Sequence, residues 1–420
     1  MSLQGPIVVV AEKPSAGLVE ALSAAGAFPI VETTWADAPT AFVAVKPAAV
    51  VIAESGEPPS EASARMLCLQ IATVNGPLVP VIALVEREQE AAIPVALPAD
   101  ASLSMERLIA RLRAALRVRA LHETVLRRIE SFAADGGAMP ALSLSDALAD
   151  ATVLIAGRGP LYPALSVAIG ERVNMVGALS VENAARYLNA RDIDGIVVGD
   201  GFSPRMVEAF LTVLAQEPRF RDIPVAVIGE APDDFADSLP NIDHVDGDLT
   251  RLVPRMVPLV RMHAFETRLK RMLASLDAGG LFDPDSGLLT REAFWRELNK
   301  AVADAGDRSE PLSMARFAFE GADDARAGLD GARMLARLIR NVDFATREDD
   351  GSFLLVCTQT DLRSAHVVVR RIAGALKGAL TGRRPPENVI ANVTLATLKV
   401  GDTLDSLMLR VMGGRVVAAE

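Results

Sequence analysis

The sequence is poor in the residues that form covalent cross-links and transition-metal sites. Its 420 residues include two cysteines and four histidines. Cys68 and Cys357 lie far apart in the chain, and no two histidines show the i, i+4 spacing of a zinc-binding helix. We therefore expect neither a disulfide framework nor a protein-bound transition metal. This cysteine usage is typical of a cytoplasmic protein.

An excess of positive charge and a long hydrophobic run are also lacking. The chain has 43 Lys and Arg residues against 54 Asp and Glu residues, for a net charge of −11. That balance argues against nucleic-acid binding driven by phosphate neutralisation. No apolar run approaches the roughly 18 residues that span a bilayer, and the first residues do not resemble a signal peptide. We expect a cytoplasmic protein that neither inserts into membranes nor binds nucleic acid.

The sequence does contain a repeated alternation of short apolar strands with helical stretches. Half of its residues are hydrophobic, and its length predicts about two to four domains. Such alternation predicts doubly wound parallel sheets, because parallel strands are joined by helical crossovers. Strand-like runs of this kind occur at residues 7–10, 49–52, 80–84, 152–155, 195–198 and 223–228.

The first three of these runs belong to one stretch of alternating strands and helices, and the last three belong to a second. Both stretches resemble receiver domains of bacterial response regulators in length and in the order of their elements. In that family, carboxylates at the strand ends hold Mg²⁺ beside an aspartate that accepts a phosphoryl group. On that pattern the acceptor position falls on Ala53 or Glu54 in the first half, and Asp200 lies within one position of it in the second. The acidic pair becomes Ala11-Glu12 and Gly157-Arg158. We therefore predict that Glu54 and Asp200 are not phosphorylated.

A helical pattern from Ser104 to Phe132 combines an apolar stripe with many arginines. One hypothesis makes it a basic surface helix for an anionic membrane or a nucleic acid. The other makes it the last helix of the first receiver-like domain, continuing as a linker with its apolar stripe on the core. The net negative charge of the whole chain favours the second hypothesis.

The most informative stretch begins with Arg340 and Asp343 and continues, after five residues, with Asp349-Asp350-Gly351-Ser352-Phe353. An Arg and an Asp three apart at a helix end lie on one face. Together they match the acceptors and donors of a guanine edge. Asp350-Gly351 between two apolar runs predicts a tight hairpin turn. An Arg followed three positions later by an Asp is not specific by itself, since Arg219 and Asp222 have the same spacing.

With the upstream segment Asp283-Pro284-Asp285-Ser286-Gly287-Leu288, this arrangement resembles the GGDEF domain of diguanylate cyclases. In that family an inhibitory RxxD site for cyclic di-GMP precedes the signature hairpin. The resemblance implies that Arg340, Asp343 and Arg371 bind cyclic di-GMP.

The same resemblance implies that catalysis is lost. Ala318 stands where the family has an aspartate metal ligand, and Gly351 stands where the hairpin supplies a further carboxylate. Asp349 and Asp350 replace two glycines that let the backbone approach the nucleotide, and two carboxylates would repel a triphosphate. No metal site is therefore expected.

The order of these parts resembles PleD-type cyclases, and the altered hairpin makes the non-catalytic PopA-type effectors the closer family. The predicted fold is α/β: two flavodoxin-like receiver domains and a C-terminal GGDEF domain of α+β type. The predicted boundaries are 1–132 for the first receiver with its extended last helix, 133–150 for a linker, 151–262 for the second receiver, 263–280 for a helical linker and 281–420 for the GGDEF domain.

From these features we predict a homodimeric scaffold that is not an enzyme, needs no cofactor, binds cyclic di-GMP and recruits protein partners. The family resemblance further implies bacterial cell-cycle control, recruitment to a cell pole and delivery of regulators to a protease. Two alternatives stay open. One is a diguanylate cyclase with an atypical active site, and the other is a structural dimerisation module with a vestigial ligand site.

Overall fold

The computed structural model divides the chain into two compact units. The N-terminal unit combines Met1–Arg127 with Ser143–Leu269, and the C-terminal unit combines Arg128–Leu142 with Lys270–Glu420. The structure describes residues 3–13, 15–53, 60–74, 76–85, 96–100, 105–134, 146–229, 235, 238–245, 247–308, 311–320, 325–340, 342–380, 390–413 and 417–418. Nothing in the structure tests the finer domain boundaries, which stay predictions.

The first sheet of the N-terminal unit is parallel, with strand order β2-β1-β3-β4-β5. Neighbouring residues of β1 enter different clusters: Ile7 and Val9 pack on one face, and Val8 and Val10 pack on the other. Both faces are therefore buried, as in a doubly wound sheet. Its elements are β1 (Gln4–Val10), α1 (Ala16–Ala24), β2 (Phe28–Thr33), α2 (Ala38–Val45), β3 (Ala49–Ala53), α3 (Glu61–Ala72), β4 (Val81–Val85), β5 (Leu97–Asp100) and α4 (Met105–Ala134).

The second sheet repeats this topology, with strand order β10-β9-β8-β6-β7 and parallel pairing throughout. Numbered within each sheet, both follow the flavodoxin-like order 2-1-3-4-5. The predicted doubly wound parallel sheets are therefore confirmed. The elements are a 3-10 turn (Ala147–Asp150), β6 (Thr152–Ala156), α5 (Tyr162–Gly170), β7 (Asn174–Ala178), α6 (Val181–Ala190), β8 (Gly195–Val198), α7 (Pro204–Gln216), β9 (Val225–Ile228), β10 (Ile242–Val245) and α8 (Leu249–Asp277).

Several arginines of α4 bind groups within the N-terminal unit. Arg111 is buried, donates to the Pro98 carbonyl and forms an ion pair with Asp243 at 3.0 Å. Arg117 pairs with Asp222 at 2.7 Å. Leu112 is fully buried in the core of the first sheet. These contacts favour the hypothesis that α4 packs on the core over the hypothesis of a basic surface helix.

The C-terminal unit contains an antiparallel sheet with strand order β12-β13-β11-β14-β15. Phe317 and Phe353 pack on one face with residues of α10 and α11, while Met314 and Leu354 pack on the other with residues of α9 and α12. Its elements are α9 (Arg291–Arg308), β11 (Ser313–Glu320), α10 (Ala325–Leu338), β12 (Phe344–Arg347), β13 (Phe353–Cys357), α11 (Leu362–Leu380), β14 (Ile390–Thr397), α12 (Leu404–Gly413) and β15 (Val417–Ala418).

Among the helices that the structure describes, none has both the length and the apolar composition needed to cross a membrane.

Candidate functional site

The Arg340–Asp343 segment forms a turn between α10 and β12. The Asp343 amide donates to the Arg340 carbonyl at 3.0 Å, which closes the turn and sets both residues at its ends. Arg340 is exposed. Within the described residues its guanidinium makes no hydrogen bond or ion pair, although its charge acts on Asp343. The turn therefore presents an unpaired cation to solvent.

Asp343 lies inside the same turn, with 7% of its surface exposed. Its Oδ1 accepts the Thr358 amide at 3.1 Å, and the Thr358 hydroxyl donates to the Val342 carbonyl at 3.0 Å. Burial raises the pKa of Asp343, whereas the Thr358 amide and the Arg340 charge act to lower it. The carboxylate thus ties the turn to the end of β13 and is only partly available to a ligand.

Arg371 lies on the exposed face of α11, which packs beside α10 through buried residues that include Leu335 and Ile372. None of the described hydrogen bonds or ion pairs joins Arg371 to Arg340 or Asp343. The structure therefore brings two of the three predicted ligand residues into one turn. The third lies on the neighbouring helix.

The predicted hairpin is present, because β12 and β13 pair in antiparallel register from Phe344 opposite Val356 to Arg347 opposite Phe353. Its loop differs from the expected two-residue turn. The Glu348 amide donates to the Ser352 carbonyl at 2.8 Å, and the Gly351 amide donates to the Glu348 carbonyl at 2.9 Å. A two-residue Asp-Gly turn needs positive φ at both positions, but only Gly351 has it, at 80°. The loop therefore contains three residues and ends on this glycine.

Arginines neutralise the carboxylates at the hairpin tip. Arg316 of β11 donates to Asp350 Oδ2 at 2.6 Å and to the Ser352 hydroxyl at 3.2 Å. Burial acts to raise the pKa of Asp350, but its bonds from Ser352 and Arg316 hold that pKa below its usual value. Arg291, at the start of α9, binds Asp349. The expected repulsion of a triphosphate by Asp349 and Asp350 is weakened by these pairs.

Glu348 shares Arg291 with Asp349, through an ion pair of 3.2 Å. Its other carboxylate oxygen, Oε1, is buried without a hydrogen-bond partner in the described part of the chain. Burial raises the pKa of Glu348, and the neighbouring Asp349 and Asp350 raise it further, against the effect of Arg291. Sequence analysis missed Arg291 and Arg316, which lie 58 and 34 residues from their hairpin partners.

Ala318 lies on β11 two residues after Arg316, so both face the same side of the sheet. Its methyl group offers no oxygen to a cation. In the described residues, no group of three or more His, Cys, Asp or Glu side chains could hold a metal ion.

Asp200 packs beneath the loop that joins β6 to α5. Its carbonyl accepts the Arg158 and Gly159 amides at 3.2 and 3.1 Å, and its Oδ2 accepts the Leu161 amide at 3.4 Å. A Cβ atom at Gly159 would overlap the Asp200 carboxylate. This carboxylate is therefore covered by the loop that it holds, which supports the prediction that it is not phosphorylated. Glu54 lies outside the described residues.

Searches of protein-family models and of curated proteins found no match to this chain. Solved structures similar to part of it include the coiled coil and GGDEF domain of DgcB from Caulobacter crescentus in complex with c-di-GMP. That similarity has 19% identity and a TM-score of 0.29, and it covers 35% of this chain and 89% of that one.

Two further similarities involve Pseudomonas aeruginosa proteins. The FimX GGDEF domain has 20% identity and a TM-score of 0.28, covering 31% of this chain and 89% of that one. Diguanylate cyclase SiaD in complex with its activator SiaC has 20% identity and a TM-score of 0.30, covering 34% of this chain and 62% of that one. TM-scores of this size are too low for the likeness to bear on function.

Proposed function

We propose that the chain is a non-catalytic cyclic di-GMP effector whose C-terminal unit is a degenerate GGDEF domain. The observation that carries the proposal is the turn at Arg340, which holds an unpaired, exposed guanidinium beside the carboxylate of Asp343. The hairpin at Asp349–Phe353 follows this turn after five residues, as the family pattern requires.

The turn suits a guanine base for reasons of donor and acceptor chemistry. A guanidinium donates two parallel hydrogen bonds to guanine O6 and N7. The Arg340 guanidinium has no hydrogen bond or ion pair within the described residues, so it breaks no such contact on binding. The N1 and N2 donors of guanine complement a carboxylate. Asp343 is already ordered by Thr358, which lowers the entropic cost of using it.

The phosphodiesters of the ligand need a further cation. Arg371 is exposed on α11, the helix that packs beside α10, and it makes no ion pair in the described part of the chain. Charge-assisted hydrogen bonds from arginine to phosphate oxygens are among the strongest in proteins. We assign Arg371 this role in the proposed site.

The hairpin tip supports a non-catalytic function. Ala318 supplies no ligand at the strand, and Gly351 supplies none at the hairpin. The carboxylates that are present, on Asp349 and Asp350, bind Arg291 and Arg316. They would have to leave these arginines to coordinate Mg²⁺.

We further propose that the N-terminal unit consists of two degenerate receiver domains that dimerise and bind protein partners in the cytoplasm. The flavodoxin-like strand order of both sheets supports this. Two further observations support it. Ala53, the last residue of β3, cannot accept a phosphoryl group, and the Asp200 carboxylate lies beneath the loop that joins β6 to α5. A role in cell-cycle control at a cell pole, with delivery of regulators to a protease, completes the proposal.

Isothermal titration of the full-length chain with cyclic di-GMP tests the proposed site. We expect saturable binding that Arg340→Ala weakens by about 100-fold, since a lost charge-assisted pair costs roughly 2–3 kcal/mol. Arg186→Ala, at an exposed arginine of α6, is the matched control and should bind normally. Unchanged affinity in Arg340→Ala would reject the assigned site, and dinucleotide formed from GTP and Mg²⁺ would reject the non-catalytic function.

A further inference from the structure

A second surface of the C-terminal unit carries unneutralised charge. Helix α11 contains three arginines, one lysine and one histidine but no Asp or Glu, in a chain whose net charge is −11. Within the described residues, none of these basic side chains forms an ion pair within 4.0 Å. Helix α9 is different, because it mixes both signs and its Arg291 pairs with the hairpin.

Six of the exposed residues of α11 fall on one stripe. Apart from the adjacent pair His366 and Val367, successive positions differ by i+3 or i+4, which places the set on a single helix face. The stripe runs over about four turns, or roughly 21 Å at 1.5 Å per residue. We name this set the basic stripe; its members are Arg363, His366, Val367, Arg370, Gly374 and Lys377.

The basic stripe is not uniformly polar. Val367 lies between its arginines with 69% of its surface exposed. Gly374 lies in the same stripe, and beyond its own helix backbone and chain neighbours no atom of the described residues lies within 4 Å of a Cβ built there, so packing in that part of the chain does not require glycine. Glycine weakens a helix interior. The stripe thus combines cations with an exposed aliphatic side chain and a stretch of bare backbone.

We propose that the basic stripe is a docking surface for an acidic, amphipathic helical segment of a protein partner. The cations complement carboxylates on such a helix, Val367 meets its apolar residues, and Gly374 allows its backbone to come close. The stripe spans several helical turns, more than one phosphate group can contact. A long polyanion such as DNA would also be repelled by the net negative charge of the chain.

This surface adds to the proposed function and does not depend on it, because the stripe does not include Arg340 or Asp343. Arg371 lies at its border, beside Arg370 in sequence. Variants at the two ends of the stripe, Arg363 and Lys377, therefore separate partner docking from dinucleotide binding.

The test measures fluorescence anisotropy of a labelled designed helical peptide with Glu on its polar face and Leu at i, i+3 and i+4 positions. We expect salt-sensitive binding to the full-length chain that Arg363→Glu/Lys377→Glu weakens by about tenfold or more. The matched control is Arg186→Glu/Arg205→Glu, at exposed arginines of α6 and α7, which changes the net charge equally. It should weaken binding less than about twofold.

If Arg363→Glu/Lys377→Glu lowers the thermal midpoint, the milder Arg363→Gln/Lys377→Gln variant is used in its place. Equal loss in the two charge reversals, or no peptide binding, would overturn the proposal. Tighter stripe-dependent binding of duplex DNA or of phosphatidylserine vesicles would also overturn it. Cyclic di-GMP titration of Arg363→Glu/Lys377→Glu should match the wild type, so failure of the dinucleotide site and failure of the docking surface are distinguishable.

Discussion

Two neighbouring turns of the C-terminal unit use their charges in opposite ways. At the turn before β12, Arg340 is exposed and unpaired within the described residues, while Asp343 is buried against Thr358. At the hairpin tip, the acidic residues are exposed or partly exposed, and Arg291 and Arg316 bind them. Paired charges stabilise a loop, whereas an exposed cation without a partner contributes little to folding and remains available to a ligand.

The largest expected effect is on stability, at Asp343. Asp343→Ala removes the acceptor of the partly buried Thr358 amide and should lower the free energy of unfolding by about 1–3 kcal/mol. Asp343→Asn keeps an acceptor oxygen and removes the charge that burial disfavours, so it should fold at least as stably as the wild type, yet bind cyclic di-GMP more weakly. Urea unfolding with parallel titration measures both. Equal destabilisation by the two variants would show that the charge of Asp343, and not its acceptor, holds the turn.

A smaller effect is expected at Arg371. Arg371→Ala should weaken cyclic di-GMP binding by about tenfold, or roughly 1.4 kcal/mol, because it removes one charge-assisted contact to phosphate. Its thermal midpoint should not change, since the side chain is exposed. Arg172→Ala, at another exposed arginine, serves as the control for nonspecific loss of charge. Wild-type affinity in Arg371→Ala would limit the site to the turn itself.

Two glycines, one half-buried in the hairpin loop and one exposed on α11, offer a matched pair that sharpens the role of the hairpin loop. Gly351 has φ of +80°, so Gly351→Ala should destabilise the C-terminal unit by about 1–2 kcal/mol through backbone strain. Gly374 lies in a helix with open space around it, so Gly374→Ala should stabilise by about 0.5–1 kcal/mol. Thermal unfolding of both variants is the measurement. A neutral Gly351→Ala would mean that the three-residue loop is not rigid.

The smallest expected effect is a pH dependence. The folded pKa of Asp343 is raised by burial, so the native state holds its proton more tightly than the unfolded chain does. The stability that this group contributes is present below its unfolded pKa and is lost as pH rises through the folded pKa. Guanine donors favour the ionised form, so cyclic di-GMP affinity should fall as pH drops through that raised pKa. An Asp343→Asn variant should show neither trend.

Much of the fold could be predicted from local sequence pattern. The helical pattern from Ser104 to Phe132 is observed as α4, at Met105–Ala134. Both parallel sheets and the β12–β13 hairpin also follow their strand patterns. The helix and the hairpin depend on residues close in the chain, where periodicity and turn chemistry are sufficient, and the parallel sheets follow from the alternation of strands and helices.

The environment of the candidate site could not be predicted in the same way. The burial of Asp343 depends on Thr358, which follows the neighbouring strand β13, and the charge balance of the hairpin tip depends on Arg316, a residue on another strand. Side-chain partners so distant in sequence leave no periodic signal. Arg340 and Arg371, which the family resemblance singled out, are both exposed, but their binding of a ligand stays a proposal.

The most direct test compares Arg340→Ala with Arg316→Ala in one pair of experiments, cyclic di-GMP titration and chemical unfolding. The account predicts that Arg340→Ala loses binding and keeps its stability. It predicts that Arg316→Ala keeps binding and loses about 1 kcal/mol of stability, because Asp350 and Ser352 lose a partner. Normal dinucleotide binding by Arg340→Ala, or lost binding by Arg316→Ala at full stability, would contradict the distinction between a binding turn and a structural hairpin.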